Sequence, residues 1–225
     1  MKTISSGPVF KRKNEINAIE DKHPKKDNCT WSELTDAEVW SAYKHGNKEA
    51  FIHIYKTYNE LLYNYGMQLC LNHELVKDNI QETFFYLQRK SKDLADVQSI
   101  KYYLYKILRR KLIAAVEQER KFQSSDEFGT RKFGIIISPE LKLINSQLDE
   151  ERKNRLRQAL NKLPERQREA ILLFYYEGFT HDEIAQIMGL KSGKYSRKHI
   201  YRGVSTLRDD LVALLILILS THTHT

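Results

Sequence analysis

The chain has no apolar run long enough to cross a bilayer, no spaced cysteine set and no Gly-rich phosphate loop, and each absence removes a class of protein. Its longest apolar stretch, Leu211 to Leu219, is about half of the ~20 residues a spanning helix needs, so direct membrane insertion is not expected. Met1 to Asn28 is polar and basic with no apolar core, which reads as a loose tail and neither a signal peptide nor an anchor. Only 2 cysteines occur, Cys29 and Cys70, too few for a disulfide framework and suited to a reducing cytoplasm. Neither Cys70 with His73 nor His23 with Cys29 has a second ligand pair at zinc-site spacing, so no metal is expected. No nucleophile is paired with a base, and the adjacent Asp182 and Glu183 sit at a helix start. Neither an enzyme nor a cofactor site is therefore expected.

What is present is length, positive charge and helical periodicity. A chain of 225 residues is natural for two small domains. The formal charge of +8 favours an anionic partner, nucleic acid before bilayer, although charge alone does not separate a nucleic-acid binder from an ordinary basic protein.

Thr35 with Glu38 predicts a capping box, Gly46 a helix end, and Asn47 the cap of the next helix. Phe51, Ile54, Tyr55, Tyr58, Leu62 and Tyr65 recur at three- and four-residue steps as its apolar face. A helix from about Leu75 to Lys90 carries Val76, Ile80, Phe84 and Leu87 on one stripe, leaving Asp78, Gln81 and Glu82 to face outward. Ser91 to Gln98 reads as a loop. Ser99 then caps a helix whose buried stripe is Ile100, Tyr103, Leu104, Ile107, Leu108 and Leu112, with Lys101, Lys106, Arg109, Arg110 and Lys111 around it. Periodicity fails around Ser124 to Ser138, which predicts an interdomain linker.

The second domain starts near Leu148. Leu156, Ala159, Leu160 and Leu163 form one stripe, and Pro164 suits the first turn of a helix that stops at Gly178. Thr180 with Glu183 predicts a second capping box, Gly189 ends that helix, and Lys191, Ser192 and Gly193 make a turn. In the last helix Ile200, Gly203, Val204, Leu207 and Leu211 fall on one side, with Lys194, Lys198, Tyr201, Arg202 and Ser205 opposite. Such a basic face is commonly just solvated; a capped helix and tight turn before it make it a major-groove reader.

Leu163-Pro164-Glu165-Arg166-Gln167-Arg168-Glu169, followed by Glu177-Gly178-Phe179-Thr180-His181-Asp182-Glu183-Ile184-Ala185, resembles region four of bacterial sigma factors of the extracytoplasmic function group. Asp78-Asn79-Ile80-Gln81-Glu82-Thr83-Phe84 resembles the family's core-polymerase-binding segment, and Tyr103-Leu104-Tyr105-Lys106-Ile107 its promoter-melting helix. The resemblance covers about Asp36 to Asp210. It has departures: Tyr103 stands where Trp is common, Arg110 where Asn is common, and Lys191 to His199 is one residue longer than the usual pattern.

The resemblance implies an all-α protein of two small domains joined by a flexible linker: a tail at 1–32, a region-two-like domain at 33–122, a linker at 123–147, a region-four-like domain at 148–210 and an apolar extension at 211–225. It implies a cytoplasmic sigma factor whose partners are core RNA polymerase, promoter DNA and an anti-sigma protein. Polymerase docking falls to Asp78, Gln81 and Glu82. The loop Ser91 to Gln98 would hold a flipped minus-ten base, with Tyr102 and Tyr105 as exposed stacking candidates and Arg109, Arg110 and Lys111 on phosphates; Tyr103 is equally readable as core. Minus-thirty-five contacts fall to Arg197, Lys198, Tyr201 and Arg202, with Arg202 on a base edge and Lys194 on phosphate. The alternatives are a helix-turn-helix regulator with a sensory first domain and a helical adaptor that binds through its apolar tail. That tail can fold back on its own domain or stay exposed for a partner.

Overall fold

The structure, a computed structural model, describes residues 30–122 and 158–222, with side chains through 119 in the first stretch and through 208 in the second. Residues 1–29 of the expected tail, the linker 123–147, the domain start near Leu148, Leu156 and the side chains of Leu211 to Leu219 lie outside the described residues and side chains, whereas the end of that tail is ordered by a 3-10 turn, Trp31–Glu33, with Trp31 stacked on His53. Within them the fold is helical throughout: α1 Asp36–Lys44, α2 Lys48–Leu69, α3 His73–Lys90, α4 Ile100–Phe122, α5 Glu165–Ile171, α6 His181–Met188 and α7 Gly193–His222.

Local chemistry sets most of the boundaries. Before α1 the Thr35 N–H donates to Glu38 Oε2 at 2.8 Å while Glu38 N donates back to Thr35 Oγ1 at 3.3 Å. Gly46 then takes φ +90°, which a side chain would resist, and Asn47 Oδ1 accepts from Ala50 N at 3.0 Å to start α2. Asn72 caps α3 in the same way, so the helix starts at His73, two residues before the expected Leu75. The Tyr102 N–H donates to Ser99 Oγ at 3.2 Å, the cap expected for α4.

The first core gathers Trp40, Ile54, Leu62, Leu87, Ile100, Leu104, Leu108 and Leu112, all buried, where α1 to α3 close on α4. Tyr55 departs from its predicted stripe: it is 45% exposed on the open side of α2. Residues 158–162 are helical, and buried Arg168 reaches back to their end, donating to the carbonyls of Asn161 at 3.0 Å and Leu163 at 2.7 Å.

Pro164 is the cap of α5, one position before its first turn. α5 runs into a wider π turn, Leu172–Tyr176, where Glu177 N donates to Leu172 O at 3.2 Å, and ends before Gly178 as expected. The second capping box holds α6, where Thr180 N donates to Glu183 Oε2 at 2.8 Å, and Gly189 closes it at φ +66°. Gly193 begins α7 instead of completing the turn, its N–H donating to Asp182 Oδ1 at 3.2 Å. Val204, expected on the packing face of α7, is 38% exposed. α4 is shared: α2 and α3 pack on one flank and α6 on the other, so the two helical groups meet along it.

Candidate nucleic-acid and polymerase interfaces

α3 presents Asp78, Gln81 and Glu82 to solvent. Glu82 is not isolated, since its carboxylate lies 3.7 Å from Arg89 and 3.8 Å from Lys111 of α4. At these separations, with Glu82 and Arg89 solvent-exposed, the pairs hold little energy, so the Glu82 carboxylate stays available to a partner. Beside them, a groove of about 520 Å³ between α2 and α3 is lined by Phe51, Tyr55, Ile80, Gln81, Phe84 and Phe85. Here half-exposed Tyr55 and Phe85 add an apolar floor to the polar face.

On α4 the predicted contacts divide. Arg110 is exposed and Lys111 half-buried beside Glu82. Tyr103 packs edge-on against Trp40 at 5.2 Å, and burial followed by its neighbour Tyr86 pushes the phenol up to about 12, which supports its core reading. Tyr105, expected to be exposed, is instead 0% exposed. It stacks on Tyr65 at 4.7 Å and meets Phe179 edge-on at 5.1 Å, while its hydroxyl donates to Glu177 Oε2 at 2.8 Å. Tyr65 of α2 covers part of that flank, and the rest of its cover comes from Phe179 and Glu177, more than seventy residues further along the chain.

Arg109 also departs from the exposed phosphate position. Its Nε donates to Glu169 Oε1 at 2.6 Å and its Nη2 to Glu169 Oε2 at 3.1 Å, a bidentate pair that Tyr65 joins by donating to Oε1 at 3.0 Å. Burial alone would lower the Arg109 pKa, but Glu169 and its hydrogen bonds outweigh this and raise it. Burial, with Glu169 adding to it, drives the Tyr65 phenol well above its ordinary range. Lys101 contacts Glu177 at 2.8 Å, and Tyr102 and Lys106 both donate to Gln186 Oε1, at 2.6 and 3.0 Å. Glu169, Glu177 and Gln186 thus hold Lys101, Tyr102, Tyr105, Lys106 and Arg109 of α4, and leave Arg110 exposed. Sequence reasoning assigned them no such role, because no local pattern links residues this far apart in the chain.

α7 is open by contrast. Lys194, Arg197, Lys198, Tyr201 and Arg202 are all exposed, Tyr201 at 76%. The opposite side fixes the helix: buried Ser196 donates to His181 O at 2.8 Å, and Gly203 lets α5 approach so closely that a Cβ would stand 2.6 Å from Ile171 Cδ1. Burial, reinforced by Arg166, Arg202 and Lys198, lowers the His199 pKa, so that position reports the positive field of the face. Among the described residues no cluster of His, Cys, Asp or Glu could hold a metal, and no helix is long and apolar enough to cross a membrane.

An exposed basic helix on a helix-turn-helix, joined to a helical group with an acidic face and an aromatic, basic helix, is a specific combination. Residues 54–122 match the family described as Sigma-70 region 2, and residues 153–207 match Sigma-70, region 4. The chain belongs to the sigma-70 family. It is similar to the RNA polymerase sigma factor SigZ of Bacillus subtilis (strain 168), at 28% identity over 135 residues, 57% of this chain and 69% of that protein. Among solved structures, the sigma factor RpoE from Bartonella quintana in complex with the anti-sigma factor NepR aligns with TM-score 0.56 at 23% identity, over 72% of this chain and 97% of that one. CnrH, in complex with the cytosolic domain of CnrY, aligns with TM-score 0.53 at 20% identity, over 79% and 97%.

A sigma factor binds core RNA polymerase and directs it to promoter DNA; this one is a transcription initiation factor and not an enzyme. The region two match favours it over a regulator with a sensory first domain.

Proposed function

We propose that this sigma factor divides its work among α3, α4 and α7, within the domain limits set out from the sequence. Asp78, Gln81 and Glu82, beside the aromatic groove, dock core polymerase. The loop 91–98 receives a minus-ten base, with Tyr102, Tyr105, Arg109, Arg110 and Lys111 along the displaced strand. Lys194, Arg197, Lys198, Tyr201 and Arg202 read the minus-thirty-five element.

The observation that carries this reading is the contrast between the two DNA faces. The α7 cations are exposed, whereas Lys101, Tyr102, Tyr105, Lys106 and Arg109 are held by Glu169, Glu177 and Gln186. In this closed arrangement, strand uptake requires α5 and α6 to leave α4. Core polymerase drives that separation by binding the open form better than the closed one, since only a difference in affinity shifts such an equilibrium. An anti-sigma protein, as RpoE has in its complex, is the natural inhibitor, and the cytoplasm, where polymerase and DNA meet, is the site of action.

Transcription from native promoters by purified protein with active core polymerase tests the whole assignment. Docking is tested separately: Gln81→Ala with Glu82→Ala weakens core binding while the helical circular dichroism stays intact, and retained affinity would remove α3 from the interface.

A further inference from the structure

Three side chains of α1, spaced four apart and therefore on one face, hold the end of the segment between α3 and α4 and the first residue of α4. Asp36 Oδ2 accepts the Ile100 N–H at 2.7 Å, where α4 begins. Trp40 donates from Nε1 to Ala95 O at 3.0 Å. Lys44 Nζ contacts Asp96 Oδ1 at 2.6 Å. The stripe is itself fixed, since the Tyr58 hydroxyl donates to Asp36 Oδ1 at 3.2 Å and Trp40 is buried with its ring against Tyr103. The segment it holds keeps Leu94 buried and Ala95, Asp96 and Gln98 exposed, so its outer side is free to meet a ligand.

We infer that Trp40 and Lys44 are positioning residues for minus-ten base selection: without touching DNA, they hold residues 94–99 in the shape that accepts the extruded base. The inference rests on the reading of that loop given above. A base taken out of the stack must be met by a site already formed, because ordering the loop at that moment would add its entropy to the unstacking cost. Lys44 has a second task. Asp96 is an exposed carboxylate in a segment that must approach a polyanion, and the hydrogen bond and charge of Lys44 keep its pKa below the ordinary range. Lys44 offsets that negative charge where strand phosphates would otherwise be repelled.

The test uses the full chain in holoenzyme on a promoter library randomised through the minus-ten element, with opening read by permanganate. Trp40→Phe keeps a ring but removes the N–H, and Lys44→Ala removes an ion pair in which Asp96 is solvated and the Lys44 side chain is 21% exposed. Both are expected to reduce the preference for the extruded base about five- to tenfold, the scale of one lost hydrogen bond, with core affinity and minus-thirty-five duplex binding unchanged. Lys44→Arg restores the preference. Asp96→Asn in the Lys44→Ala background restores opening rate without restoring preference, separating the charge from the shape. Gln98→Ala, within the loop, identifies which reading fails. If it changes base preference while Trp40→Phe and Lys44→Ala do not, the positioning role is overturned and the loop assignment stands. If none of the three changes it, the loop assignment falls and the positioning role with it.

Discussion

Glu169 grips Arg109 through two hydrogen bonds of 2.6 and 3.1 Å across sixty residues of chain, and Tyr65 donates to the same carboxylate. Both charged side chains are largely buried, at 5% and 15% exposure, so removing one leaves the other without its countercharge. Breaking such a pair by deleting one partner costs about 3–5 kcal/mol. In the proposed open form the loss has an outlet, because α5 and α6 are off α4 there and water reaches Arg109.

Glu169→Ala should therefore favour the open form more than it unfolds either helical group. Small-angle scattering is expected to show a larger radius of gyration, and the free variant should bind a single-stranded minus-ten oligonucleotide at least tenfold more tightly than the parent. Gln186→Ala, which loses only solvent-accessible hydrogen bonds worth ~0.5–1.5 kcal/mol, should give a smaller gain in the same direction. Equal strand affinity in all three proteins would mean that the α4 contacts do not gate the minus-ten face.

The reading helix gives a prediction that separates two kinds of contact. If Arg202 reads a base edge, Arg202→Ala relaxes one promoter position by about 1–3 kcal/mol, whereas Lys194→Ala weakens all sequences alike and lowers the salt slope by about one. Selection from a randomised minus-thirty-five library, with affinities taken at several salt concentrations, checks both. A uniform loss for Arg202→Ala would reassign it to phosphate.

Gly193 is held by space. A Cβ there would collide with the Asp182 carboxylate that accepts its N–H, and would also stand 3.2 Å from Asp182 N, so turning the carboxylate away relieves only part of the clash. Gly193→Ala should destabilise the helix-turn-helix by about 1–3 kcal/mol, visible as a lower thermal midpoint together with weaker minus-thirty-five binding. An unchanged midpoint would show that the turn relaxes freely.

His199 supplies a pH dependence. Its pKa is lowered from 6.5 in the folded chain, first by burial and then by Arg166, Arg202 and Lys198. The unfolded chain consequently binds the proton more readily, so this contribution to stability is complete above the unfolded value and is lost as pH falls through the folded one. Thermal melts from pH 7.5 to 5 should show a smaller acid-side drop for His199→Gln than for the parent. Parallel curves would mean that His199 is equally solvated in both states.

Much of the helical layout was legible because its causes are local. Thr35 with Glu38 and Thr180 with Glu183 close their hydrogen bonds across three residues, and Gly46 and Gly189 take the left-handed backbone where their helices end. The α4 stripe was legible as well, since Ile100, Leu104, Leu108 and Leu112 follow the helical repeat and are all buried. Tyr105 and Arg109 were misplaced as exposed because they lie beside that stripe on a flank whose cover comes from Phe179, Glu177 and Glu169. Tyr55 and Val204 erred the other way: both fit an apolar repeat, and neither has a neighbouring element deep enough to bury it.

The sequence by itself determined that there are two helical groups, where their caps fall, and that the last helix carries a basic face, because caps and periodicity act within a few residues. The tertiary structure alone decided which of the two basic faces is free. That choice belongs to Glu169, Glu177 and Gln186, whose hydrogen bonds to α4 join residues sixty to more than eighty positions apart, a distance over which no local signal in the chain extends.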